Sequence, residues 1–374
     1  VIYRALEEEE TQSNAFKATM VMTVCWLDWL EANLQGMAQT ARQCITLSQE
    51  ASIPQMQNYG HYHLGRVCLE QNDLAAAEEH FNTIVRQPYL NYGNCFAYGA
   101  CGLALVHQAQ DRPDEAQAVT EAASMSMLET GNTTLMPAIQ AIQAELALRQ
   151  GRIARASQWA AQLDQVPPLT PIVELFSPHL TLARIWMAQN TPESRQQAAD
   201  LLVAVREFVE ITHNTRFRIE VLALQALLKD VQGDGETALE LLAQAVFLAE
   251  PGGFIRLFVD LGPQMACLLA ELHRRDVAPE YVSQVLGAFE TTDGGPKAAE
   301  PAMRQASPLV DPLTSRELEV LALLEQHLTN TEIAERLVVS PSTVKTHTLN
   351  IYRKLEVRGR RQAVARGKEL NLLP

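Results

Sequence analysis

Apolar side chains recur with a period near 3.6 across residues 1–290, in alanine- and leucine-rich stretches broken by short Gly, Asp and Pro turns. That pattern predicts helix almost throughout. Aligning the small residues exposes a repeat: Ala38, Ala77, Ala116, Ala156, Ala198 and Ala238 are spaced by 39, 39, 40, 42 and 40 positions. Each opens the second helix of a predicted pair. Most follow a turn such as Asn72-Asp73, Asp111-Arg112-Pro113 or Gly233-Asp234-Gly235. The clearest unit runs from Tyr62-His63-Leu64-Gly65 through Ala77, Phe81 and Ile84, which matches tetratricopeptide (TPR) spacing. Gly65 and Ala77 let two antiparallel helices approach closely, and Phe81 is expected to fill the gap to the next pair. The expected fold class is therefore all-α, led by a TPR-like α-solenoid of about six helix pairs with a concave inner surface.

Two shorter helices, near 263–275 and 279–290, are expected to cap the solenoid after Pro251-Gly252-Gly253-Phe254. Residues 291–312 lose the apolar period, contain a Gly-Gly pair and are rich in proline, so they read as a flexible linker. This divides the chain into a helical-repeat domain (1–290), a linker (291–312) and a C-terminal domain (313–374). In the last of these the local signals are dense. Thr314 and Glu317 form a capping box with Leu313 and Leu318 as its staple, and Thr329 and Glu332 repeat the device. Ser340 then caps a third helix with Pro341 at its first position. Helices joined by such tight turns describe a helix-turn-helix.

At 100° per residue the third helix separates into two faces. Val344, Thr348, Ile351 and Leu355 form a stripe for packing, while Lys345, Thr346, Leu349, Asn350 and Arg353 lie opposite, where a major groove could be read. Lysine can donate to guanine, asparagine can pair with adenine, and a threonine or leucine methyl can touch the thymine methyl. Thr343, Arg353, Lys354, Arg358 and Arg360 suit phosphates, which position a protein on DNA without reading its sequence.

The net charge of −14 argues by itself against nucleic acid, but its distribution reverses that conclusion. Residues 1–310 carry 20 basic and 36 acidic side chains, whereas residues 311–374 carry 10 and 8. Between Ser340 and Lys368 eight basic residues stand against the single acid Glu356, the footprint of a phosphate-binding surface. The six cysteines are scattered without a Cys-x-x-Cys pair, which points to reduced thiols in a cytoplasmic protein. No apolar run is long enough for a membrane helix. The chain opens on Val1 rather than Met and reads as a fragment of something longer.

The run LTSRELEVLALL…NTEIAERLVVSPSTVKTHTLNIYRKLEV closely resembles the LuxR-type (GerE-like) output domain over residues 313–373. The resemblance implies a four-helix domain that binds double-stranded DNA, with Lys345, Thr346 and Leu349 facing bases. It also implies a fourth helix, about 359–370, forming a homodimer contact. Members of the family with a basic residue at position 349 differ from Leu349 here, which leaves the target sequence open. Residues 15–290 resemble the helical-repeat sensor of the large ATP-binding, maltose-activator-like subgroup. The segment Ala249-Glu250-Pro251-Gly252-Gly253-Phe254 is similar to that group just before its linker. The resemblance implies a transcriptional regulator, with an effector (a small molecule or a protein) on the repeats and RNA polymerase as a further partner. Relatives of that kind carry an ATPase module, but this chain contains no Gly-x-x-x-x-Gly-Lys-[Ser/Thr], so no cofactor is expected in it.

Other features read as structural. His61 and His63 sit two apart on a helix and point about 200° apart, a poor metal pair. Trp26, Trp29, Trp159 and Trp186 are expected to fill gaps between repeats, and Cys95 and Cys101 are badly spaced for a bridge. No Gly-x-Ser-x-Gly elbow or His-Glu-x-x-His motif points to catalysis. The alternative to a regulator is an interaction scaffold that binds a protein through its repeats and is merely localised by its DNA-binding domain.

Overall fold

The computed structural model describes residues 13–86, 93–163, 169, 176–292, 315–326, 328–337 and 360–369, with Val344, Thr348, Ile351, Leu355 and Val357 between the last two stretches. It divides into two compact units, residues 1–295 and 296–374. Among the described residues of the first unit, six helix pairs follow one another. They are α1 (Asn14–Leu30) with α2 (Leu34–Glu50), α3 (Pro54–Glu70) with α4 (Leu74–Val85), and α5 (Gly93–Ala109) with α6 (Pro113–Glu129). Next come α7 (Met136–Arg149) with α8 (Ile153–Ala161), α9 (Pro178–Gln189) with α10 (Pro192–Ile211), and α11 (Thr215–Val231) with α12 (Gly235–Ala249). Three further helices close the unit: α13 (Arg256–Val259), α14 (Pro263–Arg274) and α15 (Pro279–Thr292).

The alanine register is the register of the fold. Ala38, Ala77, Ala116, Ala156, Ala198 and Ala238 lie in α2, α4, α6, α8, α10 and α12, all of them buried. Phe81 shows why small residues are needed around them. A Cβ on Gly65 of the same pair would lie 2.7 Å from its ring, and one on Gly102 of the next pair 2.5 Å. The ring thus seats between two first helices that only glycine allows so near.

The turns share one device. Helices α1, α3, α10 and α11 end on a left-handed residue, respectively Ala32 (φ 60°), Asn72 (64°), His213 (52°) and Gly233 (83°). The next residue, Asn33, Asp73, Asn214 or Asp234, caps the following helix through its side chain. Its own N–H returns to a carbonyl five residues back, for example Asn214 to Val209 at 2.8 Å, which closes a Schellman motif. His213 is exposed and holds its left-handed backbone without a side-chain gain visible in the fold. His213→Gly is expected to stabilise the unit by about 1 kcal/mol and to raise its melting temperature by about 2 °C. An unchanged or lower melting temperature would count against the strain.

A ring of buried ion pairs links helices distant in sequence. Arg216 donates to Glu70 at 2.6 and 3.0 Å and to Glu220 at 2.8 Å. Arg184 joins Glu220 (2.9 Å) to Glu145 (2.5 Å), and Arg149 joins Glu145 (2.8 Å) to Asp260 (2.5 Å). Arg256 then joins Asp260 (2.6 Å) to the Asn72 amide oxygen (3.2 Å). The circuit leaves the end of α3 at Glu70 and returns to it at Asn72. Beside it the Ile255 N–H donates to the Glu70 carbonyl at 2.7 Å, and Tyr281 donates to the Phe254 carbonyl. Trp29 lies fully buried with the Arg66 guanidinium 3.7 Å from its ring centroid, so it packs rather than facing a groove.

Burial pushes the Glu145 carboxyl up, but Arg184 and Arg149 more than offset it and leave its pKa at about 2. Asp260 is likewise raised by burial and lowered further by Arg149 and Arg256, ending below its ordinary range. A carboxyl depressed in the fold stabilises above its unfolded value and loses that contribution as pH falls toward the folded one. For Glu145 the window runs from 4.5 down to about 2. The stability at stake there is on the order of 3 kcal/mol. Thermal melts should therefore decline below the ordinary histidine value of 6.5, where the depressed imidazoles of His61, His63 and His80 disfavour the fold, and fall more steeply below about pH 5. Glu145→Gln should start lower and fall less. An equal acid slope in the variant would remove Glu145 as its cause.

Candidate nucleic-acid interface and an interior cleft

Among its described residues the second unit comprises α16 (Ser315–Glu325), α17 (Asn330–Leu337), the helical residues Val344, Thr348 and Ile351, and α18 (Arg360–Glu369). The second capping box forms as its sequence requires. The Thr329 N–H donates to Glu332 Oε2 at 2.7 Å, and the Glu332 N–H returns to Thr329 Oγ1 at 3.3 Å. Those bonds to Thr329 hold the Glu332 carboxyl below its usual pKa. Val320, Leu321 and Leu324 of α16, Ile333 and Ala334 of α17, and Ala363 of α18 make the core.

Val344, Thr348, Ile351 and Leu355 complete that core, all 7% exposed or less. The Thr348 hydroxyl donates to the Val344 carbonyl at 2.8 Å, and the Leu355 N–H to Ile351 at 2.9 Å. The stripe expected to pack is therefore the stripe that packs. Lys345, Thr346, Leu349 and Asn350, with Thr343, Arg353, Lys354 and Arg358, lie outside the described residues, as does the Thr314–Glu317 capping box. Arg360 is described, and its guanidinium has a partner within the domain. Nε and Nη2 donate to the Leu324 carbonyl at 3.2 and 2.7 Å, tying the start of α18 to the end of α16. Lys368 adds a 2.7 Å ion pair to Glu325.

The repeat unit holds a site that sequence reasoning missed. A cleft of about 520 Å³ opens beside the ion ring, lined on that side by Glu145, Arg149, Arg184, Arg256 and Asp260. Glu145 Oε2 and Arg184 Nε are buried within the ion ring without a hydrogen-bond partner. His61 and His80, also unforeseen as a pair, meet Nδ1 to Nδ1 at 3.1 Å between α3 and α4, while His63 is wholly buried. Among the described residues no helix is long and apolar enough to cross a membrane, and the six cysteines are free thiols.

Comparison with known proteins gives two family matches. Residues 2–275 match the MalT-like TPR region, and residues 311–366 match the luxR family of bacterial regulatory proteins. The HTH-type transcriptional regulator MalT of Vibrio campbellii is 28% identical over 203 residues, 50% of this chain and 22% of that protein. MalT of Vibrio cholerae is 31% identical over 164 residues, covering 40% and 18%. The response regulator protein VraR of Staphylococcus saprophyticus is 44% identical over 71 residues, covering 19% and 34%. The chain thus spans about a fifth of the MalT relatives it matches. With the model of the repeat region matching well over half of its length, the chain belongs to the family of the MalT-like TPR region, and it carries a luxR-family helix-turn-helix domain behind that region.

Proposed function

We propose that this chain is a sequence-specific DNA-binding transcriptional regulator whose helical-repeat unit senses a ligand or partner and controls the C-terminal output domain. The observation that carries the DNA-binding half is the buried stripe of Val344, Thr348, Ile351 and Leu355 within a luxR-family domain. Burial of that stripe supports the reading in which Lys345, Thr346, Leu349 and Asn350 face base edges. Arg353, Lys354, Arg358 and Thr343 serve phosphates, and α18 supplies the contact between two copies on paired half-sites. The sensing half is supported by the interior cleft of the helical-repeat unit. Control operates by population shift: a ligand that binds one arrangement of the chain better than another favours the arrangement in which two output domains engage DNA, and RNA polymerase is the partner then recruited.

Selection of bound duplexes from a random DNA library, using the full chain at fixed salt, tests the reading. Enrichment of one motif is expected. Binding that enriches nothing and merely falls with salt would leave only phosphate contact, and the regulator reading would give way to the scaffold.

A further inference from the structure

We propose that His61 and His80 form a binding site for a borderline divalent transition-metal ion such as Zn2+, Ni2+ or Cu2+, with water in the remaining coordination positions. The site is independent of the regulatory reading above.

The two imidazoles come from the two helices of one pair, His61 from α3 and His80 from α4. Their Nδ1 atoms stand 3.1 Å apart and their ring centroids 5.3 Å. The nitrogens thus point at one another and share a single proton when both rings are neutral. A metal–imidazole bond is about 2.0–2.1 Å long, so nitrogens at that separation subtend roughly 100° at a common ion, between the square-planar and tetrahedral angles. Their spacing already suits chelation. What changes on binding is direction: the rings, inclined by 43° and both half-buried, turn about χ2 until their lone pairs converge. The proton that one Nδ1 gives up is taken by Nε2 of the same ring. The pair therefore exchanges a shared proton for an ion with no net change in protonation.

The surroundings favour the exchange. Burial holds both imidazoles below the ordinary histidine value of 6.5, and at His61 the nearness of His80 adds to it. Both rings are accordingly neutral near pH 7 and able to ligate. Glu79 acts on both rings and Asp73 on His80, while Arg42 opposes them at His80, so acids outnumber bases around the pair.

The ligand set decides the class of ion. Imidazole nitrogen suits the borderline transition metals, whereas Mg2+ and Ca2+ are hard cations that take oxygen. Among the described residues no third His, Cys, Asp or Glu completes a cluster with the two rings, so the other positions belong to water. A site of that kind is open and exchanges its ion, unlike the closed four-ligand site of a structural metal. Its ion ties α3 to α4 within the pair whose Glu70 begins the ion circuit.

Calorimetric titration of the untagged full chain with Zn2+ and with Ni2+ tests the inference, with Mg2+ as the hard control. Each transition metal is expected to bind saturably and one to one below about 1 mM and to raise the melting temperature, and Mg2+ to bind at least about tenfold more weakly. His61→Gln and His80→Gln should each weaken uptake at least about tenfold, because either leaves a single ligand. Both side chains are only half-buried, and glutamine keeps a polar group in their place. His213→Gly removes an exposed histidine elsewhere and should leave uptake unchanged. Electron spin echo of the parent loaded with one equivalent of Cu2+ requires no variant and should count two imidazoles. No saturable uptake, uptake unchanged in either glutamine variant, an equal loss in His213→Gly, Mg2+ binding as tightly as Zn2+, or an echo from one imidazole would each overturn the proposal.

Discussion

Arg216→Ala is expected to destabilise the repeat unit by about 3–5 kcal/mol and to lower its melting temperature by about 10 °C. The guanidinium is only 5% exposed and serves two carboxylates on different parts of the chain, Glu70 at 146 residues' distance and Glu220 one turn along the same helix. Those carboxylates hold its charge more firmly than solvent does, raising its pKa despite burial. Truncation removes three hydrogen bonds, strips Glu70 of its counter-ion in the interior and leaves Glu220 with Arg184. It also removes the cation 5.0 Å from the Trp29 ring centroid, a smaller loss. The size of the effect comes from the stranded partners rather than from the pair itself, because a well-packed apolar replacement of a buried ion pair is often close to neutral. The double variant Arg216→Ala/Glu70→Gln should accordingly be more stable than Arg216→Ala alone. Additive losses in that cycle would mean that the two side chains do not act on one another.

Lys345→Ala is expected to weaken binding to the selected motif by about 1–3 kcal/mol, a factor of about 5 to 150, while binding to random duplex changes far less. The distinction follows from what each contact reads. A lysine on a guanine edge adds discrimination, whereas a phosphate contact adds affinity at every sequence and steepens the salt dependence. Arg353→Ala is the matched control, lowering affinity for both duplexes and reducing the salt slope by about one. Equal weakening of motif and random duplex in Lys345→Ala would move that residue from base readout to the backbone.

How far the fold was legible depended on whether a feature is local. The six alanines, the turn residues Asn72-Asp73 and Gly233-Asp234, and the Thr329–Glu332 box act within a few residues of themselves, and each recurs in the structure where the pattern placed it. Phe81 was legible because its partners, Gly65 and Gly102, can only be glycine. The ion ring was not. Its links span 36, 39, 111 and 146 residues, and arginine or glutamate on a helix ordinarily marks a solvated face. The helix that carries Arg216 gives no contrast to read, since Phe217, Ile219, Val221, Leu222, Ala223 and Leu224 are buried nearly all round it. For the same reason the cleft left no trace in the sequence. In the C-terminal unit the basic charge of Arg360 suggests a phosphate contact, and only the geometry reveals its bonds to Leu324.

A linear array of repeats unzips from whichever end is weaker, each unit lending stability only to its neighbours. Here the circuit that departs from Glu70 and comes back to Asn72, with Ile255 bonded to the same turn, makes the second pair a neighbour of the last. The sequence order of the pairs is open but their energetic order is closed. Removing the residues after Ala249 therefore does more than shorten a stack by its cap: it withdraws Arg256 and Asp260 from the circuit and exposes the turn after α3, so the second and last pairs, which melt together in the intact chain, would melt more nearly in succession.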